Sequence, residues 1–175
     1  MSSQHNPVVL QLAQFLIQHQ LTLCTAESCT GGMVSSALTE ISGSSNWFER
    51  GYVTYSNESK RHDLGVPMDL IQVSGAVSIP VAKEMALGAL RSSGSSVSLS
   101  ITGVAGPTGG SIEKPVGYVC FGWAWKIHGE LIVEAEGVNL LNNKSKINDD
   151  TRMAVRTLAL QYSLEQLLKK LQAAF

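Results

Sequence analysis

Apolar residues fall at helical spacing from the start of the chain. Val9, Leu12, Ala13, Leu16 and Ile17 follow Asn6-Pro7, a pair suited to a helix's first turn. A short apolar run over residues 21–26 predicts a buried strand. Helical character returns over 33–41 after a glycine turn, and 43–46 is a loop. Residues 51–56, rich in β-branched and aromatic side chains, predict a second strand. Asn57 is suited to cap a short helix carrying Lys60. Pro67 and Gly75 punctuate the next stretch. Ser78 and Pro80 then open a helix through Val81, Met85, Ala86 and Leu90. Residues 97–101 predict a strand, and 116–125 with 131–138 a hairpin turning near His128-Gly129. A polar loop over 142–150 precedes a long last helix capped by Asp149 or Asp150. In it Met153, Val155, Leu158, Leu160, Leu164, Leu167, Leu168 and Leu171 form a wide apolar face. Helices mixed with strands and ending in a hairpin predict one α/β domain over residues 1–175. Its layers are α/β/α around a mixed central sheet.

Composition narrows the function classes. Of 175 residues only 15% are charged, and the net charge is -1. A duplex-binding protein normally needs a basic face to neutralise phosphates, so nucleic acid is not an expected partner. No stretch approaches the ~18 unbroken apolar residues of a membrane span. The amino terminus has neither a basic region nor a small-residue cleavage site, so it does not resemble a signal peptide. Cys24, Cys29 and Cys120 form neither a disulfide framework nor a CxxC pair. A reduced, cytoplasmic setting is the expectation. His5, His19, His62 and His128 are too scattered for a sequence-local zinc site. Trp47, Trp123 and Trp125 are not interleaved with basic residues, which predicts packing rather than base stacking.

Three segments could carry chemistry. The first is 26–32 (AESCTGG), a strand-to-helix turn holding Ser28, Cys29 and Thr30. Such a turn sets a nucleophile before free backbone N–H groups that can hold an oxyanion. Gly31 and Gly32 would let a ligand approach the backbone. The plainer alternative makes Ser28 or Thr30 only a helix cap. The second is 54–60 (TYSNESK), where Lys60 could serve a serine hydroxyl as a base if burial or a neighbouring cation lowers its pKa. Its alternative is a solvated lysine among Glu58, Arg61 and Asp63. The third, 102–117, holds Gly103, Gly106, Gly109, Gly110 and Gly117, and such loops often wrap phosphate. It is neither a Walker A loop nor G-x-G-x-x-G, and its alternative is a surface connection. Glu27, Cys29 and Lys60 could also assemble a thiol amidase, against the plainer reading of Cys29 as a small buried hydrophobe.

Together AESCTGG (26–32), GSSNWFERGYVTYSNESK (43–60), GAVS (75–78), TGVAGPTGG (102–110) and KPVG (114–117) resemble the C-terminal domain family of the competence/damage-inducible protein CinA. The likeness is strongest to its stand-alone amidohydrolase members. It implies a compact α/β/α domain that hydrolyses the carboxamide of nicotinamide mononucleotide to nicotinic acid mononucleotide and ammonia. No metal or other cofactor is implied, and the reaction belongs to pyridine-nucleotide recycling. By the same resemblance Ser28 is the nucleophile, Lys60 the general base, and Tyr55 and Thr102 their hydrogen-bonding partners. The Cys29 or Thr30 N–H would hold the oxyanion, and Lys60 or Tyr55 would protonate departing ammonia. Glu27, Gly31, Gly32, Gly103, Gly106, Gly109 and Gly110 are carried as substrate-binding positions. Arg152, four residues before Arg156, is carried as a substrate-binding cation. Two positions depart from the family pattern: Thr108 replaces an acid, and Asp150-Thr151-Arg152 replaces Gly-Asp-Arg. The expected partner is a small nucleotide, with no membrane and with a homo-oligomer, a dimer by preference. The competing readings are a non-catalytic nucleotide-binding module and an amidase attacking through Cys29.

Overall fold

The protein is described here by a computed structural model covering residues 6–141 and 147–175. Helix α1 (Pro7–Gln18) starts where the Asn6 side chain accepts from the Val8 N–H. It leads to β1 (Leu23–Glu27) and then to α2 (Met33–Thr39). A 3-10 turn over Ser44–Asn46 precedes β2 (Phe48–Val53), α3 (Asn57–Leu64) and α4 (Met68–Ser74). After them come α5 (Ile79–Ser93), β3 (Val97–Gly103), β4 (Tyr118–Ile127), β5 (Glu130–Asn139) and α6 (Thr151–Ala174). The strands form one sheet in the order β2-β1-β3-β4-β5. β1 is parallel to both β2 and β3, whereas β4 is antiparallel to both of its neighbours, β3 and β5. This is the expected mixed sheet.

Alternation along the strands builds the two outer layers. Leu23 of β1 and Val97, Leu99 and Ile101 of β3 join an apolar cluster with α1, α2 and α6. On the other face Cys24 and Ala26 pack with Leu64, Ile71, Val81 and Met85 of α3, α4 and α5. There β3 presents hydroxyls rather than hydrocarbon. Ser98 donates to the Ala86 carbonyl at 2.8 Å, Ser100 to Ala82, and Thr102 to Ala76 at 2.9 Å. Small side chains with satisfied hydroxyls let α5 lie close to the sheet. Gly122 of β4 is part of that closeness, since a Cβ there would sit 2.4 Å from the Ala82 carbonyl oxygen. Gly88 lets α5 approach α3, since a Cβ there would sit 1.9 Å from the Leu64 carbonyl oxygen. Trp47, Trp123 and Trp125 are buried, as packing residues should be.

Several local expectations need correction. The second strand ends at Val53 rather than Ser56, because its pairing with β1 stops at Glu27 and the chain then turns. Ser56, not Asn57, caps α3; it exchanges hydrogen bonds with Ser59 in a capping box. Asp150 makes no side-chain cap on α6; Asn148 and Thr151 bond to each other across that turn instead. Helix α4 was not expected, being only seven residues between Pro67 and Gly75. Ile17, Met153 and Leu158 are exposed rather than part of apolar faces. Residues 142–146 of the expected polar loop lie outside the described residues, as does His5.

Candidate active site

The chain leaves β1 for β2 on one side, and β3 pairs with β1 on the other. Open α/β sheets bind ligands in the crevice at such a point, beyond the carboxyl ends of the strands. Here the crevice is a cavity of about 210 Å³. Ser28, Cys29, Tyr55, Lys60, Thr102 and Arg152 line it, with a wall from Ala76, Val77, Gly103 and Ala105.

Ser28 directly follows β1, and its N–H donates to the Ile101 carbonyl at 2.9 Å. Its side chain therefore stands just beyond the carboxyl end of β1, between β2 and β3. Lys60 lies in the first turn of α3 and is only 1% exposed. Its Nζ is 3.0 Å from Ser28 Oγ, 2.7 Å from the Thr54 carbonyl oxygen and 3.5 Å from that of Tyr55. Among the described residues no carboxylate pairs with it. Burial without a counter-charge pulls its pKa from 10.5 down to about 8. Three acceptors suit an ammonium. The same three positions suit a neutral amine that donates twice to carbonyls and accepts the serine proton.

The turn after Ser28 is held on two sides. Glu27 is fully buried beneath α2, and its carboxylate accepts from the Gly32, Val34 and Ser35 N–H groups and the Ser35 hydroxyl. The expectation that Glu27 meets substrate is therefore corrected: every one of these bonds turns it into the protein. Arg156 of α6 donates to the Thr30 carbonyl at 2.7 Å. Among the described residues the Cys29 and Thr30 N–H groups donate to no backbone or side-chain acceptor. Gly31 and Gly32 open onto a different hollow, lined also by Met33, Ser36, Glu40 and Arg156. Neither lines the serine cavity; Gly32 caps α2 and its N–H is used by Glu27.

The Cys29 thiol borders the cavity but is 6% exposed, and burial pushes its pKa up to about 12. Thr102 spends its hydroxyl on the Ala76 carbonyl, which fixes the wall opposite Ser28. Gly75 takes φ 79° and ψ 152° to deliver that carbonyl, a conformation essentially reserved for glycine. Tyr55 touches Lys60 through its carbonyl; its hydroxyl instead accepts from Arg152 at 2.7 Å. Arg152 also donates to the Gly106 carbonyl at 2.9 Å, tying the glycine loop to the cavity rim. Gly103 lines the cavity, whereas Gly109 and Gly110 are exposed and lie outside its lining. Lys114 clips the far end of this loop to the Ser74 carbonyl at 2.8 Å. Sequence reasoning did not anticipate the Thr54 carbonyl, the Ala76–Val77 wall or the Arg156 contact. Gly75 and the spacing of Arg152 to Arg156 were the available signals.

The model of the CinA C-terminal domain matches residues 5–171. The chain belongs to this family. The nicotinamide-nucleotide amidohydrolase PncC of Escherichia coli K12 is 45% identical over 159 residues, covering 91% of this chain and 92% of that protein. The PncC of Enterobacter agglomerans is 48% identical over 145 residues, 83% of this chain and 82% of its own length. Among solved structures, the competence damage-inducible protein A of Klebsiella pneumoniae superposes with a TM-score of 0.83 at 32% identity. That match covers 94% of this chain and 95% of the other. The CinA-family sheet and its flanking helices are thus shared along almost the whole chain. Among the described residues no three His, Cys, Asp or Glu side chains gather as metal ligands would. No helix there is long and apolar enough to cross a membrane.

Proposed function

We propose that this protein hydrolyses the carboxamide of nicotinamide mononucleotide, giving nicotinic acid mononucleotide and ammonia, by attack of Ser28 with Lys60 as its base. The activity is supported by the amidohydrolase relatives that align over most of both chains. One observation carries the chemistry: a buried, carboxylate-free lysine nitrogen lies 3.0 Å from a serine oxygen at the carboxyl end of β1.

Neutral Lys60 accepts the Ser28 proton as Oγ bonds to the carboxamide carbon. The tetrahedral oxyanion is held by the Cys29 and Thr30 N–H groups, which have no competing acceptor among the described residues. Lys60 then returns its proton to the amide nitrogen, the C–N bond breaks and ammonia leaves. Lys60 next deprotonates a water that attacks the ester, releasing the carboxylate and restoring Ser28. Arg152 at the cavity rim supplies the cation for the substrate's phosphate. Tyr55 serves by holding Arg152 through its hydroxyl and Lys60 through its carbonyl. Attack by Cys29 is the weaker reading, since a thiol with a pKa near 12 supplies almost no thiolate.

Ammonia release from nicotinamide mononucleotide, compared with nicotinamide and its riboside, tests the substrate. Release from the mononucleotide well above the other two is expected. Release from none of the three, at any pH between 6 and 9, would overturn the reading.

A further inference from the structure

Arg156 lies outside the lining of the serine cavity. Its half-buried guanidinium has no carboxylate within 4.0 Å among the described residues, and its Nε is buried without a partner. Its Nη2 donates to the Thr30 carbonyl at 2.7 Å. That carbonyl shares a peptide group with the Gly31 N–H, which donates to the Ser28 carbonyl at 3.0 Å. The Ser28 carbonyl in turn shares a peptide group with the Cys29 N–H, which is left without an acceptor among the described residues. A cation, two peptide groups and a free donor are therefore linked in series from α6 to the nucleophile turn.

We infer that Arg156 is a positioning residue for the oxyanion donor, holding the 28–31 turn in register and polarising its peptide groups toward the Cys29 N–H. Hydrogen-bonded amides in series strengthen one another, and a cation at the acceptor end draws electron density along the chain. The terminal N–H becomes a better donor where negative charge develops, so the benefit falls on the transition state rather than on bound substrate. Arg156 touches no substrate in this scheme. The inference rests on the serine–lysine reading above.

Steady-state kinetics of ammonia release from nicotinamide mononucleotide test it, with Arg156→Met, Arg156→Gln and Arg156→Lys beside Ser28→Ala. The expected result is a kcat lower by about tenfold in Arg156→Met and in Arg156→Gln, with KM within about twofold. Arg156→Lys should recover most of the rate, because it keeps a cation on the Thr30 carbonyl. The pH midpoint of kcat/KM should not move, since Lys60 is not the group affected. A wild-type kcat in Arg156→Gln overturns the inference. So does a raised KM at unchanged kcat, which would make Arg156 a substrate ligand. If Arg156→Met does not fold, the Gln and Lys variants decide alone. Unimpaired ammonia release by Ser28→Ala would instead overturn the underlying reading, and this inference with it.

Discussion

Lys60 Nζ sits 3.0 Å from Ser28 Oγ and 2.7 Å from the Thr54 carbonyl, with no carboxylate paired to it among the described residues. The separation of 32 residues is closed by fold alone: Ser28 directly follows β1, and Lys60 lies one turn into a helix that follows the neighbouring strand.

The first consequence is a pH profile. Lys60 must be neutral to accept the serine proton, and its pKa is lowered to about 8 by burial. The value of kcat/KM should rise through pH 8 and fall about tenfold per pH unit below it. A flat profile between pH 6 and 9 would exclude Lys60 as the base.

The same shift links to stability. The folded pKa lies below the unfolded one, so the unfolded chain binds more protons between about pH 8 and 10.5. Stability from this group therefore rises with pH across that window, and the cost of burying the charge is complete below it. Relative to Lys60→Met, the wild type should gain about 2 kcal/mol between pH 7.5 and 9.5. Urea denaturation of both proteins at the two pH values measures this. Equal changes in the two proteins would show that Lys60 has an ordinary pKa.

Glu27 should matter for folding more than for binding. Glu27→Ala leaves three backbone N–H groups and a hydroxyl without their acceptor beneath α2. Destabilisation of about 3 kcal/mol or more is expected in urea unfolding. Glu27→Gln should be milder, and any folded fraction should keep its KM. A KM raised tenfold at unchanged stability would return Glu27 to the substrate site.

How much of this was legible in the sequence depends on the kind of contact involved. The caps at Asn6 and Ser78, the buried β1 and β3 and the final hairpin all follow from periodicity and local chemistry, and the structure has them. Ser28 and Lys60 were legible as types in suggestive turns, and their juxtaposition was available only through resemblance. Glu27 was misplaced because a carboxylate beside a nucleophile looks the same whether it faces substrate or a helix start. Strand parity decides between them, since Glu27 shares β1's α2-facing side with Leu23 and Thr25. Which hollow Gly31 and Gly32 face was not legible for a related reason: a turn has two sides, and a one-dimensional motif does not distinguish them. Arg156 was legible only as a cation four residues after Arg152; its contact was not, because the partner is a backbone carbonyl 126 residues away.

Close packing between α5 and its neighbours gives a test independent of chemistry. Gly88→Ala would place a methyl 1.9 Å from the Leu64 carbonyl oxygen at the end of α3, the helix carrying Lys60. A loss of about 3 kcal/mol in unfolding free energy is expected. An unchanged urea midpoint would mean that α3 and α5 do not approach this closely.

The nucleophile itself is tested most directly by ammonia release from nicotinamide mononucleotide at pH 8, with wild type, Ser28→Ala and Cys29→Ala assayed side by side. Wild type and Cys29→Ala should release ammonia at rates within about threefold of each other, and Ser28→Ala should lose at least about a thousandfold. Ammonia release by Ser28→Ala at the wild-type rate, or its loss in a folded Cys29→Ala, would contradict attack by Ser28.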